Sequence, residues 1–383
     1  MTTYNHISRT VEKDIVQKRI DTLKIGQKMQ DLPEELWHES FRYYVKEDKT
    51  RRGGPNMRMI RLDPNKPSLT VTGFIFNKFV HPYEDRFVTV REAARLQDFP
   101  DDMEIMGSLT NTQRQIGNAV PVLLAKAIFQ SIIDFAAEIK YQQRNLKAFS
   151  LFCGAGGLDL GAEMAYNKEY RMTTSLAIDN WDDACGTLKN YMGGKTNVIQ
   201  EDVCQVEFPL EYWLQHTNEM EVPDIVYGGP PCQAFSQAGK QKALDDDRGK
   251  LVFEFMRFVN DIRPSFFVME NVSNIVSIYE GKLFREILDG MKSCGYNVSF
   301  GVLNAAKYGT PQLRRRAVFI GTKKELGKVP LPMPTHCETV DMFGLPLYTT
   351  VGEAFAGLPV LMNKIAIQQM KVLEGVEERR MLK

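Results

Sequence analysis

The sequence predicts an α/β fold: a doubly wound, mostly parallel sheet carrying a smaller second domain. Three observations predict it. From Leu146 onward, short apolar β-branched runs alternate with helical ones, the pattern of parallel strands joined by crossover helices. The first run, Lys147 to Phe152, breaks into the glycine-rich turn Cys153-Gly154-Ala155-Gly156-Gly157, which opens a helix. Later runs end in Asp179, Cys232 and Glu270, so their side chains fall at the carboxyl edge where such sheets bind ligands.

Taken in order, residues 1–55 are polar and mixed, ending in the basic loop Lys49-Thr50-Arg51-Arg52-Gly53-Gly54-Pro55. Phe74 to Val80 reads as a strand. Val88 to Gln97 reads as a short helix capped by Thr89 and stopped near Pro100. Pro121 to Lys140 has proline in its first turn and an apolar stripe of Leu123, Leu124, Ile128, Ile132 and Phe135, which predicts an amphipathic helix. The predicted sheet strands are Lys147–Phe152, Thr174–Ile178, Asn197–Gln200, Asp224–Tyr227, Phe266–Met269, Asn297–Leu303 and Ala317–Gly321. After Lys323 the chain is proline-rich and then predicted helical to Lys383.

The 383 residues are 43% hydrophobic and 25% charged, ordinary for a globular chain. No run approaches the roughly 20 apolar residues of a membrane span. The start, Met1-Thr2-Thr3-Tyr4-Asn5-His6, lacks a signal-peptide pattern, so a cytoplasmic location without membrane attachment is expected. Six cysteines show no CxxC pairing or zinc-ligand spacing and read as reduced thiols, and no metal is expected. Formal net charge is zero, so any nucleic-acid binding must use a local basic face.

The glycine turn suits an adenosine-like ligand without a diphosphate, because the full GxGxxG is absent while Asp179 and Asp202 end the next two strands. A tight turn with solvated acids is the plainer alternative. Pro230-Pro231-Cys232-Gln233 holds a thiol at a rigid strand end, as nucleophile or as small buried hydrophobe. Glu270 would sit at the same edge, where burial raises a carboxyl pKa and suits it to donate a proton to a ring nitrogen. In Gln312-Leu313-Arg314-Arg315-Arg316, alternation puts Gln312, Arg314 and Arg316 on one polar face, able to lower a thiol pKa or contact phosphate.

Together these stretches resemble the DNA (cytosine-5)-methyltransferase family. Thr89-Val90-Arg91-Glu92-Ala93-Ala94-Arg95-Leu96-Gln97-Asp98-Phe99-Pro100 is similar to its ninth motif, and Arg114-Gln115-Ile116-Gly117-Asn118-Ala119-Val120-Pro121 to its tenth. Both precede the glycine motif here, the reverse of the family's usual order, so the chain looks circularly permuted, joined through Tyr141–Leu146.

The resemblance implies a Rossmann-like S-adenosylmethionine-dependent domain over 110–325, with a target-recognition domain formed by 1–109 and 326–383. It implies methyl transfer to C5 of a flipped cytosine in double-stranded DNA. Cys232 would add to C6, Glu270 would hold N3, and Arg314 and Arg316 would hold the nucleotide and support the thiolate. Phe152, Gly154, Gly156, Leu158, Asp179, Asn180, Asp202, Val203, Pro230, Leu251 and Asn118 would take the cofactor, with Asn180 or Trp181 against the adenine. Gln233, Ser236, Lys240, Gln312, Arg51 and Arg52 would meet DNA; Arg58 and Arg61 are further candidates. A bacterial monomer with a cognate restriction endonuclease is implied. The rival readings are a tRNA cytosine-5 methyltransferase, whose Cys-Phe-Thr motif is missing, a silent DNA-binding relative, and a nicotinamide oxidoreductase.

Overall fold

The computed structural model describes residues 3–8, 11–39, 41–42, 59–73, 78–231, 250–340, 342 and 344–361. Arg51, Arg52, Arg58, Cys232, Gln233, Ser236, Lys240 and the predicted helix beyond Leu361 lie outside the described residues.

The N-terminal part carries helix α1 (Asp14–Thr22) and three two-residue strands, β1 (Ile60–Arg61), β2 (Ser68–Leu69) and β3 (Phe79–Val80). Of the strand expected from Phe74, residues 78–80 are described, and Phe79–Val80 pairs with β1. Helix α2 (Val90–Arg95) begins as predicted: Thr89 Oγ1 accepts from Glu92 N and Glu92 Oε2 accepts from Thr89 N, a reciprocal capping box. Helix α3 (Leu109–Asn118) and the long α4 (Val122–Glu138) follow.

The main sheet begins with β4 (Asn145–Leu151), β5 (Arg171–Asp179), β6 (Asn197–Gln200) and β7 (Ile225–Gly228). It is completed by β8 (Phe266–Val272), β9 (Tyr296–Asn304) and β11 (Arg315–Lys323), while the short β10 (Gln312–Leu313) pairs instead with β2. The strand order is β6-β5-β4-β7-β8-β11-β9, parallel except that β11 runs antiparallel to both neighbours. Each predicted strand forms, most of them extended by one to three residues at their ends.

Alternation fills the two faces. Ala148, Ile225, Tyr227, Phe266, Val268, Val318 and Ile320 pack beneath α4 and α5 (Gly157–Glu163). Phe149, Leu151, Val226, Phe267, Met269 and Phe319 face the other layer, which includes Trp213, Phe255, Phe258 and Ile287. That layer is built from α7 (Pro209–His216), α8 (Lys250–Ile262) and α9 (Lys282–Ser293), while α6 (Asp182–Met192) packs on β6 and β5 at the sheet edge. A Cβ on Gly161 would meet Ala125 Cβ at 2.3 Å, so glycine there is what lets α4 and α5 touch.

From β4 the chain winds outward through β5 to β6, then returns to β7 on the other side of β4. The crevice between the ends of β4 and β7 is the topological switch point, where open α/β sheets bind ligands. One hydrophobic cluster reaches from Leu62, Val71, Phe79 and Phe99 across residue 109 to Cys153, Ala155 and Leu188, and takes in Val351 and Phe355 of helix α10 (Val351–Phe355). A smaller cluster around Ile20, Leu23, Met29, Leu32 and Phe87 belongs to the N-terminal part alone.

Candidate active site

The turn leaving β4 is held open by backbone geometry. Phe152 (φ 54°), Gly154 (φ 53°) and Gly156 (φ 86°) all adopt the left-handed region, costly for Phe152 because it carries a Cβ. A Cβ on Gly156 would meet Leu188 Cδ1 at 2.3 Å, whereas one on Gly154 would meet nothing within 4 Å among the described residues. Among those residues Gly154 therefore faces open space at the switch point. Asp179 ties this turn to the next: its Oδ2 accepts from Gly154 N and its Oδ1 from Trp181 N, both at 2.9 Å. Burial pushes its carboxyl up while these N–H groups pull it down, and the upward effect wins. Each oxygen keeps a second lone pair, enough to accept a ribose hydroxyl.

Around the cradle, Asn118 ends α3 and is exposed, as is Asn180. Asp202 Oδ1 accepts from Cys204 N at 2.9 Å and caps a short turn. Leu158 and Val203 are buried in opposite core layers, Pro230 is buried, and half-buried Leu251 packs on the layer of α7–α9.

On the other side of the crevice stands Glu270, buried on β8, with Arg316 Nε 2.7 Å from its Oε1. Burial raises its pKa, and the Arg316 and then Arg314 charges only partly offset that. The loop before Cys232 is fixed against the same strand. Asn271 Nδ2 donates to Pro230 O at 3.0 Å, and a Cβ on Gly229 would lie 3.0 Å from Glu270 Oε2. The sequence reading gave Asn271 and Gly229 no role; an amide directly after an acid and a glycine directly before Pro-Pro were the available signals.

Arg314, Gln312 and Arg61 are placed otherwise than expected. Arg314 is fully buried, donating from its terminal nitrogens to Val71 O at 2.7 Å and Gly117 O at 2.8 Å. Gln312 is equally buried: Oε1 accepts from Val71 N, and Nε2 donates to Leu96 O and Gln97 Oε1. Alternation was read correctly, but the shared face of these two points into the junction with the N-terminal part, so in this arrangement both are buried away from solvent. Arg61 is likewise buried, donating to Ile20 O, Leu23 O and His81 O and pairing with Asp85. Arg316 alone of the set reaches Glu270.

Among the described residues no His, Cys, Asp or Glu cluster could hold a metal. Cys153, Cys185, Cys204, Cys294 and Cys337 are free thiols, and the contact with the Cys185 thiol together with burial pushes Cys153 up, which suits packing rather than attack.

A glycine cradle and a buried acid on either side of one switch point define an α/β enzyme that binds a nucleoside-like cofactor. The chain belongs to the C-5 cytosine-specific DNA methylase family, whose model matches residues 2–134 and 146–356. It is 39% identical over 249 residues to the Type II methyltransferase M.AquIA of Picosynechococcus, a match covering 61% of this chain and 96% of that protein. It is 39% identical over 220 residues to M1.HphI of Haemophilus parahaemolyticus and 35% identical over 240 residues to M.NgoFVII of Neisseria gonorrhoeae. Those matches cover 54% and 60% of the two relatives and 57% and 61% of this chain.

Proposed function

We propose that this chain methylates C5 of cytosine at a specific site in double-stranded DNA, using S-adenosylmethionine, as the modification half of a bacterial restriction system. The observation that carries the reading is Glu270: a buried carboxyl whose pKa burial raises, held by Arg316 at the sheet edge and followed by Asn271, which bonds the loop that leads into Cys232. C5 of cytosine is a poor nucleophile, so the reaction needs covalent help. Cys232 as thiolate adds to C6, forming the C–S bond. Glu270 donates its proton to N3 and takes up the charge that develops there. The bound cofactor supplies an electrophilic methyl group for C5. Loss of the C5 proton to a base, elimination of Cys232 and return of the N3 proton to Glu270 restore the aromatic ring. The base must leave the stack to reach this crevice, at a cost of a few kcal/mol.

The open space at Gly154 and the strained Phe152 fit a cofactor that approaches the backbone closely. Phe152, Gly154, Gly156 and Pro230 would form its walls, Asp179 and Asn180 would meet ribose, Asp202 the adenine amine and Asn118 the methionine end. Leu158, Val203 and Leu251 support those walls. DNA contacts are proposed for Gln233, Ser236, Lys240, Arg51 and Arg52. The two-stretch family match divides near the proposed join between motif ten and β4, which supports the permuted order.

The test is base-resolution methylation sequencing of a methylation-deficient bacterial host expressing the protein or Cys232→Ser. Methylcytosine at one short word with the wild type alone is expected. Absence of any mark, from a protein that folds and binds S-adenosylmethionine, rejects DNA as substrate and directs the test to RNA.

A further inference from the structure

Helix α3 lays one face along the start of α6. Asn111 Nδ2 donates to Asp183 Oδ2, and Gln115 Oε1 accepts from Thr187 Oγ1 at 2.7 Å. Gln115 also donates to Met106 O at 2.7 Å, so both ends of this contact are fixed. Between the two side chains, on the same helical face, Arg114 places its guanidinium carbon 4.7 Å from the centroid of the Trp181 ring. Trp181 is itself pinned through its backbone N–H to Asp179, whose other oxygen holds Gly154 of the cradle.

We propose that Arg114 is a positioning residue for the cofactor: it covers one face of the Trp181 indole and fixes the ring so that the opposite face forms the platform on which the adenine stacks. This rests on the cofactor reading above. A planar guanidinium on an indole is a favourable cation–π contact, and an aromatic ring fixed before binding spares the ligand the entropy of ordering it. The half-buried Trp181 sits one turn from the cradle, at the end of β5, adjacent to the strand that bears the glycines. Arg114 comes from the N-terminal third of the chain. Cofactor affinity is thereby coupled to the docking of α3 on α6, which Asn111 and Gln115 secure.

The full chain and its Arg114→Ala, Arg114→Lys, Trp181→Ala and Arg114→Ala/Trp181→Ala variants are titrated with S-adenosylhomocysteine by calorimetry. In parallel, KM for S-adenosylmethionine and kcat are measured on DNA. Arg114→Ala should weaken S-adenosylhomocysteine about threefold to fivefold, with the loss falling on KM rather than kcat. Arg114→Lys should recover part of it, and Arg114→Ala should have no further effect once Trp181 is alanine. Without ligand, the fluorescence contributed by Trp181 should change in Arg114→Ala. The same fold-loss in both Trp181 backgrounds, or none in either, overturns the proposal. Failure of the wild type to bind S-adenosylhomocysteine would instead overturn the cofactor reading, and the proposal with it.

Discussion

At the scale of single residues, two buried carboxyls carry predictions. In the reaction proposed above Glu270 works only while protonated, and burial raises its pKa from the ordinary glutamate value. The rate should therefore fall as pH rises through that raised pKa. Glu270→Gln should cost about 10²–10⁴ in kcat, the usual worth of a positioned acid, with S-adenosylhomocysteine affinity little changed; single-turnover kinetics checks both. Asp98, in the left-handed region at φ 64°, accepts from Thr310 Oγ1 and Leu123 N, and burial raises its carboxyl to about 7. Its folded pKa exceeds the unfolded value near ~3.9, so the stability it contributes is full below about pH 4 and is lost as pH rises through about 7. Asp98→Asn keeps an acceptor and tolerates the same backbone conformation. Melting curves from about pH 5 to 8 should show a flatter profile for the variant, the difference across that range reaching at most about 3 kcal/mol.

At the scale of elements, the segment Thr310 to Arg314 ties the catalytic sheet to the N-terminal part. Thr310 bonds Asp98, Gln312 bonds Val71, Leu96 and Gln97, Arg314 bonds Val71 and Gly117, and β10 pairs with β2. Arg314→Ala leaves two buried carbonyls without donors, about 1–3 kcal/mol each. Arg314→Lys, with one point charge in place of a fork, should restore only part. Thermal unfolding measures the loss, and methylation kinetics of the folded fraction should show a smaller defect than Arg316→Ala, which exposes Glu270 to an altered charge. Between α4 and α5, Gly161→Ala would force Cβ within 2.3 Å of Ala125 and should cost about 1–3 kcal/mol by overpacking. A paired Ala125→Gly change should recover part of that in the same unfolding experiment.

At the scale of the whole molecule, a ligand that binds only the folded chain stabilises it by about 2.7 kcal/mol at a hundredfold excess over Kd. S-adenosylhomocysteine should raise the melting temperature accordingly and NAD should leave it unmoved, which separates a methyltransferase from a dehydrogenase on the same kind of sheet. Much of this was legible in the sequence, for local reasons. Glycines that need positive φ, a Thr–Glu capping box, β-branched runs broken by Pro-Pro and period-two alternation act over a few residues, and each produced its predicted turn, cap or strand. The proposed permuted order rests on the same kind of signal, because motifs keep their local spelling wherever the chain is cut. What the sequence could not decide was the depth at which an alternating face lies. Gln312 and Arg314 have the spelling of a polar surface, yet Val71, Leu96 and Gly117, some 200 residues or more away, close over them and accept from the Gln312 amide and from both terminal nitrogens of Arg314. Nor does spacing place Arg114 on Trp181, because that contact exists only once α3 has docked on α6. Local physics is written in neighbouring residues; solvent access and long-range partners are set by the packing of distant ones, and only the tertiary structure fixes them.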